Sequence, residues 1–328
     1  MRTILNISVA GGAVYEIEMF KWIREKNGVY DLASSGVLKL EAPQAEAPPL
    51  EEVLIELYDI PRQNLAIVSG AQEGNFLAFL AVKPEYAVIT VPEYEPIIKL
   101  PSSLGVRHVK VWDVWEAPIK PGGVLIFSNP NNPTGRYLEK RELAELADEA
   151  RRKGAYLIID IIFSDFVTDD LRGFPLENVA YSHSTDKFYT HDLRAGWVFG
   201  DEEIVRRVKY LKDLANPGPR EAERKAAAAL LSRRAEVKRR NLSIIKPNAT
   251  ALLTRFPNAL YKPHMPIALI PTGCNDAKLA ERLLAMGVKT VPGRLFQAPY
   301  SIRVGLGVEE PPRFREALEI LAQGWCRA

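Results

Sequence analysis

The sequence contains little cysteine and no pattern of metal ligands. Its two cysteines, Cys274 and Cys326, lack the spacing of a metal-binding motif. They therefore indicate neither a disulfide framework nor a zinc site, and no metal is expected. With so few cysteines, the composition fits a reducing compartment, and a cytoplasmic location is expected.

Long hydrophobic runs and an excess of one charge are also missing. No apolar run approaches the roughly 18 residues of a membrane helix. Residues Met1 to Ala10, interrupted by Asn6 and Ser8, are interpreted as mature N-terminal sequence rather than as a signal peptide. The 43 basic and 41 acidic side chains give a net charge of +2. The composition therefore predicts a protein that binds neither a membrane nor nucleic acid.

Nucleotide-binding loops are a third absence. Gly70 and Gly74 do not form a G-x-G-x-x-G motif, and the sequence has no Gly-Lys-Ser/Thr phosphate loop. A nucleotide-binding Rossmann enzyme is therefore a distant alternative. What is present is a chain of 328 residues, 47% hydrophobic and 26% charged. That composition is typical of a globular enzyme with an ample core and more than one subdomain.

Strand-like and helical segments alternate through the first half of the chain. The strand-like runs are Leu65–Val68, Ala87–Val91, Val106–Val111, Val124–Phe127 and Tyr156–Ile159. Helices are predicted after the Pro48-Pro49 pair, after the turn at residues 69–74, and over residues 140–153. This alternation predicts an α/β fold with a mostly parallel sheet covered by helices on both faces.

The second half of the chain predicts a smaller α+β unit. Helical patterns cover Asp201–Leu214 and Pro219–Lys246, and the second is long enough to lead from a large domain into a small one. The basic residues near Arg233 and Lys238 are interpreted as a solvated helix face. The remaining predicted elements are strands at 267–270, 288–291 and 302–304 and helices at 277–286 and 312–323.

A dense turn sequence follows the strand-like run at 124–127. It reads S-N-P-N-N-P-T-G over Ser128–Gly135, and open α/β sheets bind ligands at such carboxyl ends of strands. By composition alone it could be an ordinary β-turn. The complete octet resembles the loop of the class I/II aminotransferases, the pyridoxal-phosphate (PLP) enzymes of fold type I. The resemblance implies a seven-stranded, mostly parallel sheet in a large domain, with a smaller α+β domain built from both termini.

Asp160 and Lys187 carry the next parts of this resemblance. D-I-I-F-S-D-F from Asp160 resembles the family's D-E-x-Y-x-x-F segment, and S-T-D-K before L-R-A-G resembles S-x-x-K…L-R-x-G. Alone, the aspartate could cap a helix and the lysine could be a solvated surface residue. The resemblance implies that Asp160 pairs with the protonated pyridine nitrogen of PLP. It implies that Lys187 is the catalytic Schiff-base residue, which also shuttles a proton.

A phosphate site is indicated at the start of the helix after Ser69. Free N–H groups at such an end suit an anion, and a guanidinium donates two parallel hydrogen bonds to phosphate. The resemblance implies that the cofactor phosphate is held by Gly70, Ala71, Gln72, Ser184 and Arg194. For Arg194, a surface ion pair is the alternative.

Other positions match the family's ring and substrate contacts. Tyr94 resembles the aromatic residue that stacks on the pyridine ring, although core packing could also explain it. Asn132 corresponds to the asparagine that bonds the phenolic oxygen of the ring. The segment P-G-R-L-F…R resembles P-G-x-x-F…R-x-x-x-G, which implies that Arg303 clamps the substrate α-carboxylate. A structural ion pair is the alternative for this arginine. Gly36 is the best candidate for the substrate-side loop.

The chain also departs from the family pattern. Phe163 stands where a tyrosine is usual, and Asp186 precedes the lysine where a small hydroxyl residue is common. The interval from Lys187 to Arg194 is one residue shorter than usual. These departures bear on efficiency and on substrate class, which the sequence does not select.

The resemblance predicts a PLP-dependent aminotransferase that transfers an amino group between an L-amino acid and a 2-oxo acid, acting as a homodimer. A decarboxylase or a C–S or β-lyase on the same fold is the alternative within PLP chemistry. A non-catalytic ligand-binding protein with this fold is a further alternative. Residues 1–40 are expected to contribute to the small domain, 41–235 to form the large PLP-binding domain, and 236–328 to complete the small domain.

Overall fold

A computed structural model describes residues 16–41, 43 and 47–326 of the chain. Met1 to Ala10, interpreted above as mature N-terminal sequence, lie outside the described residues. The strands are β1 (Tyr30–Asp31), β2 (Leu65–Val68), β3 (Tyr86–Thr90), β4 (Arg107–Val111), β5 (Gly123–Ser128), β6 (Tyr156–Asp160), β7 (Val179–Ser184), β8 (Gly196–Gly200), β9 (Ile267–Pro271), β10 (Val288–Lys289), β11 (Val291–Pro292) and β12 (Ser301–Gly305).

The helices frame these strands and follow the predicted alternation in the first half. They are α1 (Glu18–Glu25), α2 (Leu50–Tyr58), α3 (Ala71–Val82), α4 (Glu95–Ser103), α5 (Lys140–Arg152), α6 (Ser164–Val167), α7 (Glu202–Ala215), α8 (Glu221–Ser232), α9 (Arg234–Arg255), α10 (Asp276–Ala285) and α11 (Pro311–Gln323). No helix in the described part of the chain is long and apolar enough to cross a membrane.

The central sheet has seven strands in the order β2-β8-β7-β6-β5-β3-β4. All neighbours are parallel except β8, which is antiparallel to both β2 and β7. Because side chains alternate across a strand, β5 sends Ile126 to one face and Leu125 and Phe127 to the other. Both faces are covered, so the strand is an unbroken apolar run. The prediction of an α/β fold with a mostly parallel sheet is confirmed.

Smaller sheets bring the two ends of the described chain together. β9, β12 and β11 form an antiparallel sheet, and β1 pairs in parallel with β10. Trp22 of α1 donates its indole N–H to the Thr290 carbonyl at 2.7 Å. The N-terminal segment is therefore built into the same unit as residues 267–305.

The prediction of one continuous helix over residues 219–246 is wrong, because the region forms two helices. α8 ends at Ser232 and α9 begins at Arg234, so the chain bends at Arg233. Arg234 turns inward at the bend to pair with buried Asp165, and its guanidinium also donates to the Thr168 carbonyl at 2.5 Å.

The interpretation of this basic cluster as solvated is also wrong in part. The Lys238 ammonium donates to the Thr168 carbonyl and pairs with Asp169 at 2.7 Å. Burial alone would raise the pKa of Asp165, but its hydrogen bond with His183 and the Arg234 charge lower that pKa to about 2. Arg234 and Lys238 therefore anchor α9 to the loop after β6.

The two cysteines form a disulfide, contrary to the expectation from their number. Cys274 and Cys326 are bonded, with their Cα atoms 6.3 Å apart. The bridge joins the loop before α10 to the segment after α11. Cysteine count failed as a guide because two cysteines distant in sequence become neighbours only after these two helices pack against the same core.

Candidate active site

The candidate site lies where the parallel strands end. The last residues of β5, β6 and β7 are Ser128, Asp160 and Ser184, and all three face one cavity of about 240 Å³. The cavity is lined by Met19, Phe20, Ile23, Ser35, Gly70, Ala71, Gln72, Tyr94, Ser128, Asn132, Asp160, Ile162, Phe163, Ser184, Asp186, Lys187, Arg194 and Arg303. The position agrees with the rule that open α/β sheets bind ligands beyond the carboxyl ends of their strands.

One end of the cavity is an anion cradle. α3 begins at Ala71, directly after Gly70, whose φ of +132° favours glycine. A Cβ on Gly196 would lie 2.6 Å from the Gly70 Cα, so only glycine allows this close approach of β8. A Cβ on Gly70 would lie 3.5 Å from an Arg194 guanidinium nitrogen. The guanidinium therefore lies near the positive end of the α3 dipole. Both the guanidinium charge and the free N–H groups of the helix start favour an anion there.

Asp160 occupies the floor of the cavity. Its Oδ2 accepts a hydrogen bond from the Asn75 amide at 2.7 Å, and its Oδ1 accepts the Ile162 N–H at 3.0 Å. Burial raises the pKa of this carboxyl, whereas the Asn75 and Ile162 donors lower it. A cationic ring nitrogen beside Asp160 would stabilise the ionised form by charge pairing. Asn75 is itself held by the Ser182 hydroxyl.

Glu93 ties the loop after β3 to the octet after β5. Its buried carboxylate accepts the Ser128 N–H at 2.7 Å, the Ser128 hydroxyl at 2.5 Å and the Tyr94 N–H at 2.7 Å. Burial raises the pKa of Glu93 to about 7, although these donors oppose the rise. Tyr94 is thereby fixed in the cavity wall, with its ring centroid 6.3 Å from that of Phe20.

The octet is braced by its other asparagines, which leaves Asn132 for the cavity. Asn129 exchanges hydrogen bonds with the backbone of Leu138 at 2.7 and 3.0 Å. Asn131 accepts the Thr134 hydroxyl at 2.6 Å. The Asn132 N–H donates to the Ser128 hydroxyl, but its buried Oδ1 has no partner within the described residues. A buried amide oxygen without a partner in a cavity wall is suited to a bound ligand that donates a hydrogen bond.

Lys187 follows the end of β7 and points into the cavity beside its chain neighbour. Its Nζ lies 2.5 Å from Asp186 Oδ2. A Cβ on Gly36 would lie 3.6 Å from the Lys187 carbonyl oxygen, so the predicted substrate-side glycine abuts the lysine backbone rather than lining the cavity.

Arg303 provides a buried cation in the lining of the same cavity. It donates to the Ala33 carbonyl, and its Nε has no partner in the described part of the chain. Burial lowers the pKa of Arg303 to about 10, against the opposing charge of Asp31. Asp31 in turn accepts the Ala33 and Ser34 N–H groups and so fixes the loop under the guanidinium. An arginine with an unused buried donor is suited to a carboxylate.

α1 supplies a wall of the cavity that the sequence analysis missed. Met19, Phe20 and Ile23 line it, and Glu95 of α4 accepts the Glu18 and Met19 N–H groups at the start of this helix. The helix has amphipathic spacing, which is the signal that could have found it. Asn75, the partner of Asp160, was also missed, and no sequence signal distinguishes it from an ordinary helix residue.

The structure therefore brings the predicted site residues together around one cavity, with Gly36 just outside. The residues also fit PLP chemically. A phosphate suits the α3 end, a pyridinium suits Asp160, and an aldehyde suits the Lys187 amine, while Asn132, whose Oδ1 has no partner within the described residues, lines the same cavity. Phe163 lines the cavity where a tyrosine is usual, so this chain offers no hydroxyl at that point.

Comparison with known proteins agrees with this geometry. The model of the aminotransferase class I and II family matches residues 19–321. An aspartate aminotransferase of Pyrococcus horikoshii is 26% identical over 195 residues, which are 52% of this chain and 50% of the relative. The chain thus spans about half the length of that relative. An aspartate/prephenate aminotransferase of Thermus thermophilus is 24% identical over 326 residues, covering 88% of this chain and 83% of the relative.

Solved structures share the fold over nearly the whole chain. A double mutant of the T. thermophilus aspartate aminotransferase has a TM-score of 0.80 at 19% identity, covering 97% of each chain. A PLP-dependent aminotransferase from Streptococcus suis has a TM-score of 0.81 at 21% identity, covering 95% of this chain and 98% of the other. The chain belongs to the class I and II aminotransferase family of pyridoxal-phosphate-dependent enzymes.

Proposed function

We propose that this protein transfers an amino group between an L-amino acid and a 2-oxo acid, with PLP as its cofactor. The observation that carries the proposal is the meeting of Lys187, Asp160 and Asn132 in one cavity, between an anion cradle and Arg303. Each of these groups suits a different part of the cofactor or substrate chemically, so the set has a common purpose.

The proposed roles follow from the chemistry of each side chain. The α3 N-terminus, Ser184 and Arg194 bind the phosphate, and Asp160 holds a positive charge at the ring nitrogen. Bound PLP withdraws electrons from a substrate carbon that loses a proton. The Lys187 amine accepts that proton and returns it at another carbon, which it can do because it lies in the same cavity.

Arg303 favours transamination over decarboxylation. A carboxylate held by a buried guanidinium in the cavity lining keeps its charge neutralised, and its loss as carbon dioxide would leave Arg303 buried and unpaired. Lyase chemistry and simple ligand binding remain alternatives that the same assay separates.

The substrate side chain is proposed to be apolar. The wall that α1 contributes consists of Met19, Phe20 and Ile23. Among the described lining residues the cations are Lys187, Arg194 and Arg303, each with a role above. A second carboxylate on the substrate would therefore face carbon atoms rather than a further cation among the described lining residues. The names of the relatives contain aspartate, prephenate and histidinol phosphate. An apolar amino acid would therefore differ from the compounds named for these relatives.

The test uses purified protein with added PLP. The wild type should gain a visible absorption band that changes on adding an amino acid, and Lys187→Ala should lack it. Phenylalanine and leucine should convert the cofactor to its amino form faster than aspartate does. A protein that takes up no PLP contradicts the proposal, whereas loss of carbon dioxide or of a β-substituent points to the alternatives.

A homodimer is also proposed, because family members build each active site between two subunits. Apolar surface supports it: Phe76 and Leu80 of α3 are 42% and 36% exposed, and Phe76 lines a groove that includes Lys187 and Arg194. Light scattering in solution would give twice the mass of 36.7 kDa. A mass of one chain at micromolar concentration would contradict the dimer.

The location and the division into domains stay proposals as well. A cytoplasmic location is proposed from the low cysteine content, whereas the disulfide between Cys274 and Cys326 favours an oxidising compartment, and cell fractionation decides between them. The pairing of β1 with β10 supports a small domain made from residues 1–40 and 236–328 around a large domain at 41–235. Limited proteolysis that releases an intact fragment ending near Arg233 would support this boundary.

A further inference from the structure

The ion pair between Asp186 and Lys187 has no evident structural task. The two residues are adjacent in the chain, and the Nζ–Oδ2 distance is 2.5 Å. The Lys187 side chain is 32% exposed and the Asp186 side chain is 22% exposed, and both line the cavity. The pair joins no elements together, since its members are sequence neighbours, so its effect falls on the cavity itself.

The carboxylate is an unfavourable charge for an anion cradle. Asp186 lines the same cavity as Gly70, Ser184 and Arg194. Burial would raise the pKa of its carboxyl, but the Lys187 and Arg194 charges outweigh burial and lower it. Asp186 is therefore ionised at neutral pH, and it competes with a phosphate dianion for the charge of Arg194.

We propose that Asp186 is a positioning residue that holds the Lys187 amine as a paired ammonium and opposes the phosphate group, so that cofactor uptake requires this pair to break. The inference rests on the proposed function in its choice of cofactor.

Two costs of cofactor uptake follow. The first is electrostatic, because the phosphate enters a cavity that already holds the Asp186 charge. The second concerns the proton. The ammonium first releases one proton to solvent; the neutral amine then bonds to the aldehyde carbon, and its two remaining protons leave with the carbonyl oxygen as water. The ion pair with Asp186 must also break before the amine can reach the aldehyde carbon, which slows covalent capture.

The test compares cofactor-free full-length protein with its Asp186 variants. Asp186→Asn removes the charge at constant shape, and Asp186→Ser also removes bulk. Both variants should bind inorganic phosphate and PLP about tenfold more tightly than the wild type at low salt, measured by calorimetry and by absorbance. The gain should shrink in 1 M salt, since screening weakens charge repulsion. Covalent capture of PLP at neutral pH should also be faster.

Two matched variants isolate the effect. Asp186→Glu keeps the charge and should resemble the wild type. Asp192→Asn removes an exposed carboxylate that pairs with Lys39 at 2.9 Å and does not line the cavity, so it should change phosphate affinity much less. Circular dichroism and thermal melting confirm that each variant is folded.

The outcomes separate this inference from the proposed function. If Asp186→Asn and Asp186→Ser bind phosphate and PLP no more tightly than the wild type, the inference is overturned. If they bind phosphate more tightly but no form of the protein captures PLP, the electrostatic role stands and the proposed function fails.

Discussion

Among single residues, Glu93 holds two segments of the cavity wall in place. One buried carboxylate accepts donors from Ser128 and Tyr94, and so it sets the position of the octet relative to the aromatic wall. Because burial raises its pKa to about 7, its ionisation is linked to folding.

This linkage gives a prediction for Glu93→Gln. A carboxyl whose pKa is raised by folding contributes stability that is fully present below its unfolded pKa and is lost as pH rises through the folded value. Between pH 4.5 and 7, the free energy of unfolding of the wild type should therefore fall relative to the variant by up to about 3 kcal/mol. Urea denaturation across this range measures the difference.

The control for this experiment is Glu56→Gln, which removes an acidic charge from the exposed side of α2. The linkage would be contradicted if the difference in free energy of unfolding between wild type and Glu93→Gln stayed constant with pH. It would also be contradicted if the wild type gained stability relative to the variant as pH rises.

The sequence predicted the functional side chains of the site but not the residues that hydrogen-bond to them or position them. Asp160, Lys187 and Arg303 were found because their motifs carry them. Asn75 supports Asp160 from a distance of 85 positions, and Asp31 orders the loop under Arg303 from another strand. Asp186 was noticed as a departure, but only the folded chain shows that its carboxylate reaches the lysine. Contacts of this kind depend on tertiary packing and leave no local pattern.

At the scale of elements, α1 begins without a side-chain cap of its own. The cap is Glu95 on α4, which accepts the Met19 N–H at 2.5 Å and the Glu18 N–H at 3.0 Å and also pairs with Lys99 at 2.8 Å. This explains why the sequence analysis missed α1: its start signal lies 76 positions away.

Glu95→Ala should therefore loosen α1 without unfolding the protein. Losing a buried cap of this kind costs roughly 1 to 2 kcal/mol, so amides of residues 18–25 should exchange with deuterium about tenfold faster. Glu25→Ala, at the exposed opposite end of the helix, is the control. Equal exchange in both variants would show that Glu95 does not hold the helix.

Whether a strand could be predicted from the sequence depended on how apolar its residues are. β5 and β6 are unbroken apolar runs because helices cover both faces, and the sequence analysis found both. β7 and β8 were missed. β7 carries the buried polar residues Ser182, His183 and Ser184. Ser182 donates to Asn75 and the His183 Nε2 lies 2.9 Å from Asp165, contacts that exist only in the folded chain. β8 begins and ends with glycine, which lowers its local strand signal.

At the scale of the whole molecule, the disulfide closes a long loop near the end of the chain. Cys274 and Cys326 are separated by 52 positions. In the chain-entropy account, such a loop stabilises the folded state by roughly 4 kcal/mol, because it restricts the unfolded chain.

Cys326→Ser should therefore lower the free energy of unfolding by roughly 4 kcal/mol, measured in urea. The wild type treated with reductant should match the variant, and reductant should have no effect on the variant itself. An unchanged unfolding midpoint in reduced wild type would contradict this contribution.

The pairing of β1 with β10 also bears on how the enzyme is made. A ribosome delivers Tyr30 and Asp31 long before their partners Val288 and Lys289. Arg303, which also lines the cavity, follows later still. Residues of the phosphate cradle are therefore synthesised long before Arg303, so the cavity is complete only after residue 303 has left the ribosome.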